Sequence, residues 1–83
     1  MDLFVLDVGK GENILFVHGT PTNSSEYTQV IGQLASQYRC VAPDHLGFGK
    51  SPKPVDGDYS LKAHQNRLKS CIDDLDISEF HLV

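Results

Sequence analysis

Two polar segments of the 83-residue chain hold most of the residues able to do chemistry. They are His18-Gly19-Thr20-Pro21-Thr22 and Asp44-His45-Leu46-Gly47-Phe48-Gly49-Lys50-Ser51. His18, Asp44 and His45 are ligand types that could gather around a metal ion. No His-Glu-x-x-His run or Cys/His pair accompanies them, so hydrogen bonds that brace the loops are the favoured reading. Gly49-Lys50-Ser51 matches the tail of a phosphate loop, G-x-x-x-x-G-K-[ST]. That pattern demands glycine where Asp44 stands, and an acid there repels phosphate. No amphipathic helix follows to offer its N-terminus to the phosphates. The dinucleotide spacing G-x-G-x-x-G meets Ile14 after Gly9 and Gly11, and Pro52 after Gly47 and Gly49. The serine-elbow pattern G-x-S-x-G ends on Lys53 instead of glycine, with no strand directly before it.

Both segments need elements to hold them. Leu3-Phe4-Val5-Leu6 reads as a short strand, followed by a hairpin-type connection through Val8-Gly9-Lys10-Gly11. Ile14-Leu15-Phe16-Val17 is unbroken apolar sequence, as in a strand covered on both faces of a parallel sheet. Asn23 and Glu26 have the spacing of a capping box. Tyr27, Val30, Ile31, Leu34, Ala35 and Tyr38 then recur as one helical stripe. Cys40-Val41-Ala42, ending at Pro43, reads as a third strand, parallel to the second across a right-handed crossover. A loop with three Gly and two Pro runs from Asp44 to Asp58. Ser60 caps a second helix whose stripe is Leu61, His64, Leu68, Cys71, Ile72 and Leu75, and Phe80-His81-Leu82-Val83 opens another strand. The order β-β-α-β-α-β predicts an α/β fold with a mostly parallel sheet and helices on its faces. Ligands of such sheets bind at the carboxyl ends of the strands, where both polar segments lie.

Composition narrows the classes. Hydrophobic residues at 40% and charged residues at 22% belong to a globular chain. A net charge of −4 without a basic cluster excludes the phosphate neutralisation that nucleic-acid binding needs. The longest apolar run is four residues, so no membrane helix is expected. With an acid where a signal peptide carries a base, the start Met1-Asp2-Leu3-Phe4 leads to no expectation of a secretory address. Cys40 and Cys71 form no disulfide framework and match a reducing, cytoplasmic setting.

Taken together, the two segments resemble the α/β-hydrolase superfamily, and within it the haloalkane dehalogenase and epoxide hydrolase branch. The resemblance runs through Ile14–Thr22, the helix, and Tyr38–Pro54, with Asp7-Val8-Gly9-Lys10-Gly11 and Phe80–Val83 also in register. It implies that the backbone N–H of Thr20 is one half of an oxyanion hole, where a fixed donor stabilises a developing alkoxide by about 3–4 kcal/mol. Gly19 allows the tight turn, and Pro21, cis in the epoxide hydrolase pattern, stiffens the loop. His18 braces the loop and is not the catalytic base. Asp44 is expected to accept backbone N–H bonds, with Gly47 and Gly49 at positive φ, and Phe48 is a candidate for the pocket floor. Dehalogenases often carry Asn at the position of Thr20, and its side chain holds the halide. A threonine there leaves epoxides and esters open as substrates beside carbon–halogen bonds.

In this family the strand at Phe80–Val83 leads into the nucleophile elbow, and the acid and catalytic His come later. Residues 1–83 are therefore expected to be the N-terminal portion of a single hydrolase domain, ending before that elbow. The parent would act on a small-molecule substrate without metal or cofactor. Alone, the chain is expected to be inactive and marginally stable, with a bare sheet edge open to self-association. The alternative is a non-catalytic α/β module completed by a partner chain. No nucleic-acid or membrane partner is expected.

Overall fold

The computed structural model describes residues 3–19 and 22–83. Its elements are β1 (Val5–Val8), β2 (Glu12–Leu15), a 3₁₀ turn (Ser24–Tyr27), α1 (Thr28–Leu34), β3 (Tyr38–Pro43), α2 (Leu61–Asp74) and β4 (His81–Leu82). The order is the one predicted, and the four strands form one sheet, β1-β3-β2-β4. β3 and β4 both run parallel to β2, while β1 is antiparallel to β3. The fold is thus the expected partial α/β architecture.

One expectation changes. Val8-Gly9-Lys10-Gly11 does not join a hydrogen-bonded hairpin, because β3 lies between β1 and β2. The link must pass the start of β3 closely, and its glycines allow that. A Cβ on Gly9 would sit 2.2 Å from the Tyr38 carbonyl oxygen, on a residue whose φ is +92°. Asp7 and Arg39 then tie β1 to β3 through two hydrogen bonds of 3.0 and 2.8 Å.

The apolar run of β2 is covered on both faces. Alternate side chains point to opposite sides of a strand. Ile14 and Phe16 join Ile31, Cys40 and Ala42 on the α1 side, with Leu6, Tyr27 and Leu34 packed against them. Leu15 joins Val41 and Ile77 on the α2 side, with Val5, Val17, Leu68, Ile72 and Leu75. Hydrogen bonding continues past β2, since the Phe16 N–H donates to Val41 and the Val17 N–H to Val83. That carries the chain straight to His18.

The first helical stripe is shorter than its periodicity predicts. α1 stops at Leu34, Tyr38 opens β3, and Val30 faces solvent at 46% exposure. Asn23 does cap, accepting from the Ser25 N–H at 2.9 Å. Glu26 does not close the box; it accepts from the Thr22 hydroxyl instead. Ser60 caps α2 by accepting from the Ala63 N–H. Leu61 of the second stripe is largely exposed.

Candidate functional site

The carboxyl ends of β2 and β3 bring the two polar segments side by side. Asp44 follows β3 directly and is 1% exposed. Its Oδ1 accepts from the Ser24 N–H at 2.6 Å and its Oδ2 from the Lys50 N–H at 2.9 Å. One carboxylate therefore joins the start of the helical segment to the far side of its own loop. Burial pushes the Asp44 carboxyl up, but the Lys50 and Ser24 N–H groups, the Ser24 hydroxyl and nearby His18 outweigh burial. The net result is a carboxyl below its usual range. Gly49, at φ +53°, is where a Cβ would come within 2.3 Å of Asp44 Oδ2. Gly47 also has a positive φ, +88°.

His18 is buried, and both ring nitrogens are engaged. Nε2 accepts from the His45 N–H at 3.0 Å. The proton therefore belongs on Nδ1, which donates to the Gly19 carbonyl at 2.8 Å. That carbonyl also accepts from the Thr22 N–H at 3.0 Å and the Thr22 hydroxyl at 2.9 Å. Three donors thus converge on one exposed peptide oxygen. Thr20 and Pro21, the expected oxyanion donor and stiffening proline, lie outside the described residues.

Phe48 stands beside His18, with ring centroids 5.6 Å apart. The two line a cavity of about 300 Å³ together with Val17, His45, His64 and Leu68. Its walls are mostly carbon, with imidazole edges and the Gln65 side chain as polar groups. Among the described residues no cluster of His, Cys, Asp or Glu has the geometry to hold a metal ion. Cys40 is buried and Cys71 half-buried, and both are free thiols.

Sequence patterning missed three contributors. Ser51, which looks like the tail of a phosphate loop, is buried, donates to the Asp44 carbonyl at 2.6 Å and accepts from the Phe4 N–H at 2.8 Å. The Tyr27 hydroxyl, read only as part of an apolar stripe, donates to the Val17 carbonyl at 2.8 Å. His64, likewise read as a stripe residue, lines the cavity. Only the spacing of polar atoms within apolar stripes could have signalled the last two.

Comparison with known proteins agrees with this geometry. The family model described as alpha/beta hydrolase fold matches residues 12–83. The chain is 37% identical over 79 residues to a cis-3-alkyl-4-alkyloxetan-2-one decarboxylase of Shewanella oneidensis, covering 93% of this chain and 25% of that protein. An ancestral haloalkane dehalogenase superposes with a TM-score of 0.90 at 36% identity, covering 96% of this chain and 28% of the other. An esterase from Exiguobacterium antarcticum gives a TM-score of 0.90 at 27% identity, covering 96% and 30%. The chain thus spans about a quarter of the length of the curated relative. With 72 of its residues inside the family model, counted from 12 through 83, the chain belongs to the α/β-hydrolase fold family, as a haloalkane dehalogenase-like N-terminal part of that fold.

Proposed function

We propose that this chain supplies the oxyanion-hole loop of a hydrolase and the scaffold beneath it. The observation that carries the reading is the set of three donors on the Gly19 carbonyl. A peptide group is planar, so whatever fixes that carbonyl also fixes the plane containing the next N–H, that of Thr20. A donor fixed in advance stabilises a developing oxyanion without reorganising. In this reading His18, Gly19, Pro21, Asp44, Gly47 and Gly49 shape the loops, and Phe48 lines the pocket. Residues 1–83 are the N-terminal portion of one domain, and the nucleophile, acid and base come from further along the parent. That parent opens an ester, epoxide or carbon–halogen bond of a small molecule by forming a covalent ester, which His-activated water releases. It works without a cofactor, in a reducing, cytoplasmic setting.

A covalent mechanism needs nucleophile, base and oxyanion donors together. The purified 83-residue chain is therefore expected to hydrolyse p-nitrophenyl esters, styrene oxide and 1-bromobutane no faster than buffer. Turnover that scales with chain concentration and survives repurification would overturn the reading. β4 also pairs with β2 along one side only, and Leu82 beside that edge is 68% exposed. Self-association through this edge is part of the same proposal.

A further inference from the structure

Three imidazoles from three different elements meet at the cavity. His18 follows β2, His45 follows β3, and His64 lies in the first turn of α2. Ring centroids are 4.5 Å apart for His18 and His45, and 5.1 Å for His45 and His64. Phe48 packs against the rings of both His18 and His64. The Nδ1 atoms of His45 and His64 are buried without a hydrogen-bond partner. A neutral ring tolerates this as an unpaired lone pair or N–H. A charged ring beside two others in a carbon-walled cavity does not.

We infer that His45 and His64, packed against His18, form an acid-sensitive clasp that holds α2 against the Gly19 loop and loosens when His45 and His64 take up protons. The charged groups around the clasp favour the neutral state. From its own helix His64 faces Arg67, and from the preceding loop Asp58 and the Tyr59 ring. His45 faces His18 and His64, with the Asp44 carboxylate also nearby. Burial first pulls both His45 and His64 below the ordinary histidine range; the neighbouring imidazoles and, at His64, the Arg67 guanidinium add to it, while Asp44, Asp58 and, at His45, a backbone hydrogen bond with His18 only partly oppose it.

The sign follows from linkage. Groups that bind protons less readily when folded contribute full stability above the unfolded histidine value, about pH 6.5. That contribution is lost as pH falls from there toward the lowered folded values. The clasp rests on packing alone. Its effect on the oxyanion loop rests on the functional reading above, so the test reads backbone opening and not activity.

Hydrogen exchange of the α2 amides, corrected for intrinsic rate, is measured on the full chain at pH 7.5 and 5.5. The opening equilibrium is expected to rise about tenfold on acidification, in the direction that lowered folded-state histidines require. His64→Phe keeps a ring but cannot titrate, and is expected to cut the rise to about threefold or less. His81→Phe, on the exposed β4 edge, is expected to leave it at tenfold. An undiminished rise in His64→Phe would overturn the clasp, and so would an α2 already unprotected at pH 7.5.

Discussion

Asp44→Ala is expected to lower stability by roughly 3–6 kcal/mol, from two hydrogen bonds to a charged acceptor at about 1.5–3 kcal/mol each. Both donors, Ser24 N–H and Lys50 N–H, would lose their acceptor in a site that excludes water. Small domains have about 5–15 kcal/mol to lose, and a chain expected to be marginally stable starts at or below the foot of that range, so the variant is expected to be largely unfolded at 25 °C. Asp44→Asn fills the same space but turns an NH₂ toward one of the two donors, and is expected to lose about half as much. Urea denaturation at pH 7 measures both. The acid limb gives an independent check. A carboxyl held below its usual range contributes stability that is whole above about pH 4 and disappears as pH falls through the lowered folded value. Asp7, held low first by its hydrogen bond to Arg39, adds an acid-sensitive contribution of the same sign. The quantity to compare is therefore the difference between wild type and Asp44→Ala, which is expected to shrink only at the acid end.

Thr20 governs the second large effect. The dehalogenase resemblance implies that an asparagine often stands at this position with its amide holding the halide, a task for which a threonine hydroxyl is a poorer donor. Residues 1–83 can be grafted in place of the matching segment of the ancestral haloalkane dehalogenase, with which they superpose at a TM-score of 0.90. The graft carrying Thr20 is expected to release bromide from 1-bromobutane slowly. Thr20→Asn is expected to raise that rate about 10- to 100-fold, the equivalent of one charge-assisted hydrogen bond of about 1.5–3 kcal/mol. Equal rates for the two grafts would mean that this position does not select for halide.

Much of the fold is legible in the sequence because its signals are local. A four-residue apolar run covered on both faces, a serine cap and alternating strand and helix patterns each report on their own neighbourhood. What is not legible depends on distant partners. Nothing near Gly9 announces that β3 will slip between β1 and β2; the reason lies in the Ala35–Tyr38 backbone against which Gly9 packs. Tyr38 continues the helical period yet belongs to β3, since α1 ends after seven residues and the strand pairing with β1 and β2 takes over. At the site, Asp44 is conspicuous as a lone acid after an apolar strand, so its backbone bonds can be anticipated. Its reach to Ser24, twenty residues earlier, cannot. His64 hides for a physical reason: an imidazole packed by its ring faces occupies a stripe as an apolar side chain would, and only the folded chain shows that it meets two others.

The proposal that these residues carry a working oxyanion loop, with the nucleophile, acid and base supplied from elsewhere in a parent hydrolase, can be tested by grafting. The Exiguobacterium antarcticum esterase, matched over 96% of this chain at a TM-score of 0.90, offers the most direct test. Its matching segment is replaced by residues 1–83, folding is verified by a cooperative thermal transition, and p-nitrophenyl acetate turnover is measured beside that of the 83-residue chain alone. Turnover by the graft is expected within about 100-fold of the parent esterase, and none by the chain alone. A folded graft whose rate falls a further 10²–10³-fold, the loss expected when an oxyanion donor is missing, would contradict it.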